Sequence, residues 1–241
     1  METKWVVFGG WSLPPEMLKP LFGEQSIYID VNHLFHQVIN NDALIDRWPD
    51  RLLDAVMPLL PDNELRLAGW STGSFFAYAL AGLLQPSRLA LLSGSLSFCN
   101  QGEYRFGQET STLKIMRRQL KRDRISVLKD FQHQCGLSDY SLSAEIYSPE
   151  ALLAGLVFLE HADISHLPKT TCPTYLFHGK DDAIIPVFAG EFIAKEIGAK
   201  ITILPGGHVF FMDEKVQETI KNNFIKDIIY DHFFQSRPTF R

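Results

Sequence analysis

Short apolar runs alternate with helix-like stretches at both ends of this chain, and that alternation constrains the fold more than any other feature. Trp5-Val6-Val7-Phe8, ended by Gly9-Gly10, reads as a buried strand, and Ser26 to Asp30 as a second. Between them Pro14-Pro15 opens a short amphipathic stretch carrying Met17, Leu18 and Leu21. Leu52, Leu53, Val56, Leu59 and Leu60 recur at helical spacing after Pro49, a first-turn proline. Leu65 to Trp70 is a third strand, Gly73 to Leu84 a helix apolar nearly all round, and Arg88 to Ser93 a fourth strand. Thr174 to Phe177 and Lys200 to Leu204 are further strands around a helix at Val187 to Ile197, and a closing helix runs from Asp213 to Phe233. Strands this short and this apolar, separated by helices, predict an α/β fold: a mostly parallel sheet covered on both faces.

The middle of the chain breaks the pattern. From about residue 100 to 167 the periodicities are helical only. Leu113, Met116 and Leu120 share one face, Val127, Leu128 and Phe131 another, and Leu152, Leu153, Leu156 and Leu159 a third. The expectation is one domain over residues 1–241 with a helical insertion, a lid, at about 100–167. At 241 residues and 46% apolar content the chain is long enough to bury one large core.

Gly69-Trp70-Ser71-Thr72-Gly73 sits where a strand meets a helix, the context of the G-x-S-x-G nucleophile turn. Glycines two before and two after the serine let backbone approach it closely. The following helix N-terminus favours a developing negative charge. Taken alone, the motif is also compatible with a chance turn. A serine hydroxyl needs a base and an orienting acid, and on such a sheet these follow in the order Ser, acid, His. Two later strand ends supply them: His178-Gly179-Lys180-Asp181-Asp182-Ala183-Ile184-Ile185-Pro186, and Pro205-Gly206-Gly207-His208-Val209. The candidate triad is Ser71, an acid at Asp182 or its neighbour Asp181, and His208.

With Val7-Phe8-Gly9-Gly10-Trp11 added to these three segments, the chain resembles the α/β-hydrolases over most of its length. Within them it is most similar to the pimeloyl-[acyl-carrier protein] methyl ester carboxylesterases of biotin synthesis. The features that carry this narrower resemblance are Gly10-Trp11, Gly69-Trp70-Ser71, Leu92 to Cys99, and Met116 to Leu120 continuing to Leu128 to Phe131. The resemblance implies Asp182 as the acid, counted from Gly179, and an oxyanion hole made by the backbone N–H groups of Thr72 and Trp11. Relatives usually carry His-Gly where this chain has Gly9-Gly10, which leaves open what braces that loop. The implied activity is a serine carboxylesterase, without metal or cofactor, acting on a pimeloyl methyl ester held by acyl carrier protein. A general carboxylesterase or thioesterase of small acyl substrates, and a catalytically silent binding scaffold, are the alternatives.

Charge supplies a further clue. Lys114 to Lys129 carries seven cations against Asp123, net +6 in a chain whose total is −5, so the remainder carries −11. Lys114, Arg118 and Arg122, and Arg117 and Lys121, repeat at helical i, i+4 spacing and repel one another. The bland expectation is a solvated helix face. The resemblance implies instead that Arg117, Arg118, Lys121, Arg122 and Arg124 dock an acidic carrier protein. The overall acidity argues against nucleic-acid binding.

Other residues read as structural. His33-x-x-His36 lacks a companion acid in a zinc pattern, and His133, His161, His166 and His232 are isolated. Gly9-Gly10 lacks the full dinucleotide fingerprint. Three widely spaced cysteines (Cys99, Cys135 and Cys172) suit a reducing compartment, Cys99 and Cys135 as packing residues. No apolar run is long enough to span a bilayer, and the first residues show no secretory pattern. The expected location is cytoplasmic.

Overall fold

The computed structural model describes residues 4–39, 47–62, 64–137 and 146–223. Its centre is a six-stranded, wholly parallel sheet: β1 (Val6–Phe8), β2 (Ile27–Ile29), β3 (Arg66–Trp70), β4 (Arg88–Leu92), β5 (Thr174–Gly179) and β6 (Lys200–Leu204), in spatial order β2-β1-β3-β4-β5-β6. The central strands β3 and β4 are buried almost throughout, whereas the edge strand β6 leaves Ile203 exposed. This is why Leu67-Ala68-Gly69-Trp70 and Leu89 to Leu92 are continuously apolar: a parallel strand under helices on both faces has no solvent side.

The helices are α1 (Lys19–Phe22), α2 (Phe35–Val38), α3 (Trp48–Val56), α4 (Thr72–Leu84), α5 (Thr110–Arg122), α6 (Arg124–Gln134), α7 (Pro149–His161) and α8 (Val187–Ile197), followed by helical residues 214–223. The rest of the closing helix expected up to Phe233, with His232, lies outside the described residues. Residues 72–81 of α4 are all buried, as a helix between the sheet and the inserted helices must be. Among the described residues no helix is long and apolar enough to cross a membrane.

Two expected boundaries move. The helix expected through Leu60 stops at Val56, and a 3-10 turn, Met57–Leu59, follows. Pro58 has no N–H to give the helical ladder, so Leu59 leaves the apolar face and is exposed. At the other end of the chain, β5 runs two residues beyond Phe177. His178 and Gly179 keep pairing with Ile203 and Leu204 of β6, so His178 ends a strand and is fully buried rather than belonging to a loop.

Between β4 and β5 stand α5, α6 and α7; among the described residues extended pairing there is limited to isolated bridges such as Cys99 with Gln108. The basic run is broken at Asp123, whose carboxylate accepts from the Ser126 N–H and starts α6. Helix α7 is anchored in the body of the protein by Phe158. Its ring packs against Phe35, Trp48 and Phe76 at centroid separations of 5.8, 5.1 and 5.0 Å.

Candidate active site

Strand β3 delivers Ser71 into a backbone conformation that side-chain-bearing residues seldom adopt, φ 54° and ψ −120°. The turn is held by the Ser71 N–H donating to the Leu92 carbonyl at 2.9 Å. The Ser74 N–H and hydroxyl both donate to the Ser71 carbonyl, at 2.9 and 2.6 Å. A Cβ on Gly69 would overlap the Gly73 carbonyl, and one on Gly73 would overlap the carbonyls of Phe8 and Gly9. Both glycines are therefore required by close backbone approach. Thr72 opens α4, where the first N–H groups have no intrahelical acceptor.

Asp182 follows β5 and is nearly filled with donors. Its Oδ1 accepts from the Ile184 and Ile185 N–H groups, each at 2.9 Å. Its Oδ2 accepts from the Ser93 hydroxyl at 2.8 Å and from His208 Nδ1 at 2.9 Å. Burial alone pushes this carboxyl up. The adjacent His208 and its hydrogen bond, with the Ile185 amide, outweigh burial and hold it at about 2. Asp181 is exposed, and among the described residues its one hydrogen bond is from its backbone N–H to the Gly206 carbonyl at 3.0 Å.

His208 is fully buried beside Trp70, with ring centroids 5.4 Å apart, and its carbonyl accepts from Trp70 Nε1 at 3.1 Å. An ionised Asp182 can only accept, so Nδ1 carries a proton toward it. The other ring nitrogen, Nε2, is buried with no hydrogen-bond partner among the described residues.

Ser71, Thr72 and Trp11 line one cavity of about 330 Å³. Its walls are largely apolar and come from the inserted helices, with Leu113, Met116, Phe131, Leu156 and Leu159 prominent. His208 lies outside this wall. Among the described lining residues Asp130 is the one charged side chain. Trp11 both lines the cavity and ties its loop to the insertion: Nε1 donates to the Leu152 carbonyl at 2.9 Å and the ring meets Phe131 edge-on at 4.9 Å.

Two residues at this site were not singled out by sequence reasoning. Ser93, at φ 46° and fully buried, is a second strained serine at a strand end, next to that of Ser71. His178 sits beneath the acid. Its Nε2 faces the Ile185 carbonyl at 2.8 Å, so that nitrogen carries the proton, and it lies 3.6 Å from Asp182 Oδ2. Burial lowers its pKa despite the carboxylate, so it is a neutral brace for the Asp182 loop and not an ion-pair partner. The sequence signal for both was position alone: each ends a strand on the edge where Ser71 sits.

The basic residues divide. Glu160 of α7, buried, is paired with Arg117 at 3.0 Å and Lys114 at 3.6 Å. Part of the like-charge repulsion within α5 is thus relieved inside the chain. Arg124 donates to the Tyr147 carbonyl at 3.2 Å. Arg118, Lys121 and Arg122 are exposed. Lys114, Arg117, Arg118 and Lys121 line a groove floored by Leu153 and Val157, with α5 between it and the cavity. His33 is an exposed neighbour of Asp30, 3.9 Å away. Cys99 and Cys135 are buried, and burial pushes both thiols up, Cys99 to about 11, so neither is a ready thiolate.

No family model matches the chain. In sequence it is 28% identical over 191 residues to the pimeloyl-[acyl-carrier protein] methyl ester esterase of Nitrosomonas europaea, covering 72% of this chain and 75% of the relative. To the esterase of the same name from Nitrosospira multiformis it is 29% identical over 179 residues, 67% of each. In structure it is similar to an esterase from Exiguobacterium antarcticum, with TM-score 0.69 and 19% identity over 95% of this chain and 93% of that one. BioG from Haemophilus influenzae superposes with TM-score 0.55 and 18% identity, over 87% and 90%. The sheet order, the strained serine turn and these likenesses together make this chain an α/β-hydrolase in fold, similar in sequence to pimeloyl-[acyl-carrier protein] methyl ester esterases.

Proposed function

We propose that this protein is a serine carboxylesterase that removes the methyl ester from a pimeloyl chain carried by acyl carrier protein, a step of biotin synthesis in the cytoplasm. The observation that carries the reading is a buried His208 whose Nδ1 is committed to the Asp182 carboxylate, leaving Nε2 without a partner among the described residues, at the sheet edge where Ser71 is held in its strained turn.

In the proposed reaction His208 Nε2 takes the Ser71 proton as Oγ attacks the ester carbonyl. The Trp11 and Thr72 N–H groups hold the oxyanion. Asp182 stays ionised and stabilises the imidazolium. Collapse of the tetrahedral intermediate breaks the ester C–O bond, and His208 gives its proton to the departing methoxide, which leaves as methanol. Water, deprotonated by His208, then attacks the acyl-Ser71 ester. The second collapse returns the proton to Ser71 and frees the acid. None of these steps calls on a metal or cofactor.

The apolar cavity suits the uncharged ester end of the substrate, and the exposed Arg118, Lys121 and Arg122 on the outer side of α5 suit an acidic carrier. The names of the sequence relatives supply the substrate class. The test is complementation of a biotin auxotroph lacking its methyl esterase. The wild-type chain is expected to restore growth, and Ser71→Ala to fail although it accumulates to the same level. Growth with Ser71→Ala would remove the serine mechanism. Hydrolysis of p-nitrophenyl esters without complementation would favour a general carboxylesterase.

A further inference from the structure

Something must hold the loop after β1, because Gly9-Gly10 offers it no side chain. The structure supplies a brace from β2's end. Asn32 is fully buried, and both ends of its amide are used on this loop. Its Nδ2 donates to the Gly10 carbonyl at 3.1 Å, and its Oδ1 accepts from the Ser12 N–H at 2.8 Å. The two bonds straddle Trp11. Asp30 fixes which way round the amide lies, since its Oδ1 accepts from Asn32 Nδ2 at 2.7 Å and from the Asn32 N–H at 2.9 Å. The other oxygen of Asp30 accepts from the Tyr147 hydroxyl at 2.8 Å, at the foot of α7.

Peptide planarity turns this into a statement about the reaction centre. The Gly10 carbonyl and the Trp11 N–H belong to one trans peptide, so they point in opposite directions. Pinning the carbonyl on Asn32 aims the N–H away from Asn32. The peptide so fixed abuts the nucleophile: a Cβ on Gly10 would stand 3.5 Å from the Ser71 Cβ, and Trp11 lines the same cavity as Ser71. The Trp11 N–H has no hydrogen-bond acceptor among the described residues. Ser12 pays for this arrangement with a φ of 58°, a conformation that persists only where neighbours over-determine it. The bond from its N–H to Asn32 is such a neighbour.

We propose that Asn32 is the positioning residue of the oxyanion hole, setting the Trp11 N–H toward the reacting carbonyl, with Asp30 and Tyr147 linking that setting to the inserted helices. The inference rests on the esterase reading above. It differs from a structural role in that the loss falls on the transition state. Removing an oxyanion donor outright costs roughly 10²–10³ in kcat, and mis-aiming one is expected to cost about 10- to 100-fold.

The experiment compares wild type, Asn32→Ala, Asn32→Leu and Tyr147→Phe on p-nitrophenyl butyrate, with Ser71→Ala as the inert control. Asn32→Leu keeps the buried volume if Asn32→Ala does not fold. The expected result is a fall in kcat with KM nearly unchanged in both Asn32 variants, and a smaller fall in Tyr147→Phe. The Ki of n-butylboronic acid, whose tetrahedral serine adduct places an oxygen in the hole, is expected to rise by the same factor as kcat falls. Faster amide exchange at Ser12 in the variants is expected to accompany it. An Asn32 variant that keeps wild-type kcat and Ki, or that only melts earlier, overturns the positioning role and leaves the esterase reading intact. A wild-type enzyme no more active than Ser71→Ala overturns both.

Discussion

The Ser93 hydroxyl donates to Asp182 Oδ2 at 2.8 Å, the same carboxylate oxygen that takes the His208 Nδ1–H. One serine thus supports the acid of the triad from the strand end beside the one that carries the nucleophile. Removing it leaves Oδ2 with a single donor and lets the carboxylate swing. Ser93→Ala is expected to lower kcat about tenfold, the worth of one hydrogen bond to a charged group. Steady-state kinetics on p-nitrophenyl esters check it: kcat falls while the protein melts near the wild-type temperature.

Neighbouring carboxylates are expected to behave very differently. Asp182→Asn loses the anion that orients the imidazole, a change that costs about 10⁴ in kcat in serine triads. Asp181→Asn keeps the backbone bond to Gly206, and near-wild-type turnover is expected. A damaging Asp181→Asn with a harmless Asp182→Asn would reverse the assignment.

The same group sets a pH dependence of stability. The Asp182 carboxyl is depressed from the ordinary 3.8 to about 2 in the folded protein. A depressed carboxyl stabilises the fold above its unfolded pKa, and that contribution is lost as pH falls through the folded value. Wild type is therefore expected to lose about 2 kcal/mol from this group between pH 4 and pH 2. Asp182→Asn is expected to lack this component. Urea denaturation of both proteins at pH 5 and pH 2.5 measures the difference.

The basic residues of α5 are predicted to split by role. Arg118→Glu with Arg122→Glu is expected to raise KM for a carrier-linked methyl ester, more at low salt than at high, and to spare p-nitrophenyl acetate hydrolysis. Equal losses on the two substrates would point to a disturbed fold, and no loss on either would return these residues to a solvated helix face.

Arg117→Ala belongs with stability instead. It leaves the buried Glu160 with Lys114 alone, at 3.6 Å. A loss of about 1–3 kcal/mol is expected, short of that for a buried charge left wholly unpaired. Thermal melting reports it as a fall of several degrees.

What could be read without coordinates follows a physical line. Strands such as Arg88–Leu92 and helices such as Val187–Ile197 announce themselves because burial on a sheet or helix face is written in local sequence pattern. The serine turn is equally local, since Gly69 and Gly73 answer to backbone a few atoms away. Pro58 shows the limit of periodicity: the apolar spacing ran on to Leu59, but the backbone did not. Asn32, Ser93 and Glu160 were silent for another reason. Their partners lie far along the chain, Gly10 for Asn32, Asp182 for Ser93, Arg117 for Glu160, and no local pattern marks a polar side chain that meets its partner only after folding. The choice between Asp181 and Asp182 falls in between. Chain order narrows it to two, but which one faces His208 is decided by the Ile184 and Ile185 amides that turn the loop.

The cavity wall has a consequence for the end of the catalytic cycle. Its described residues present Asp130 and neither lysine nor arginine. On the proposed reaction the ester end of the substrate enters neutral and becomes an anion where it sits, among largely apolar walls that hydrate it poorly. Bond cleavage then weakens the ligand's own hold on the protein. Turnover in such a site is self-clearing: the product is expelled by the charge that its formation creates, and a free dicarboxylate in the surrounding solution competes poorly with the next ester.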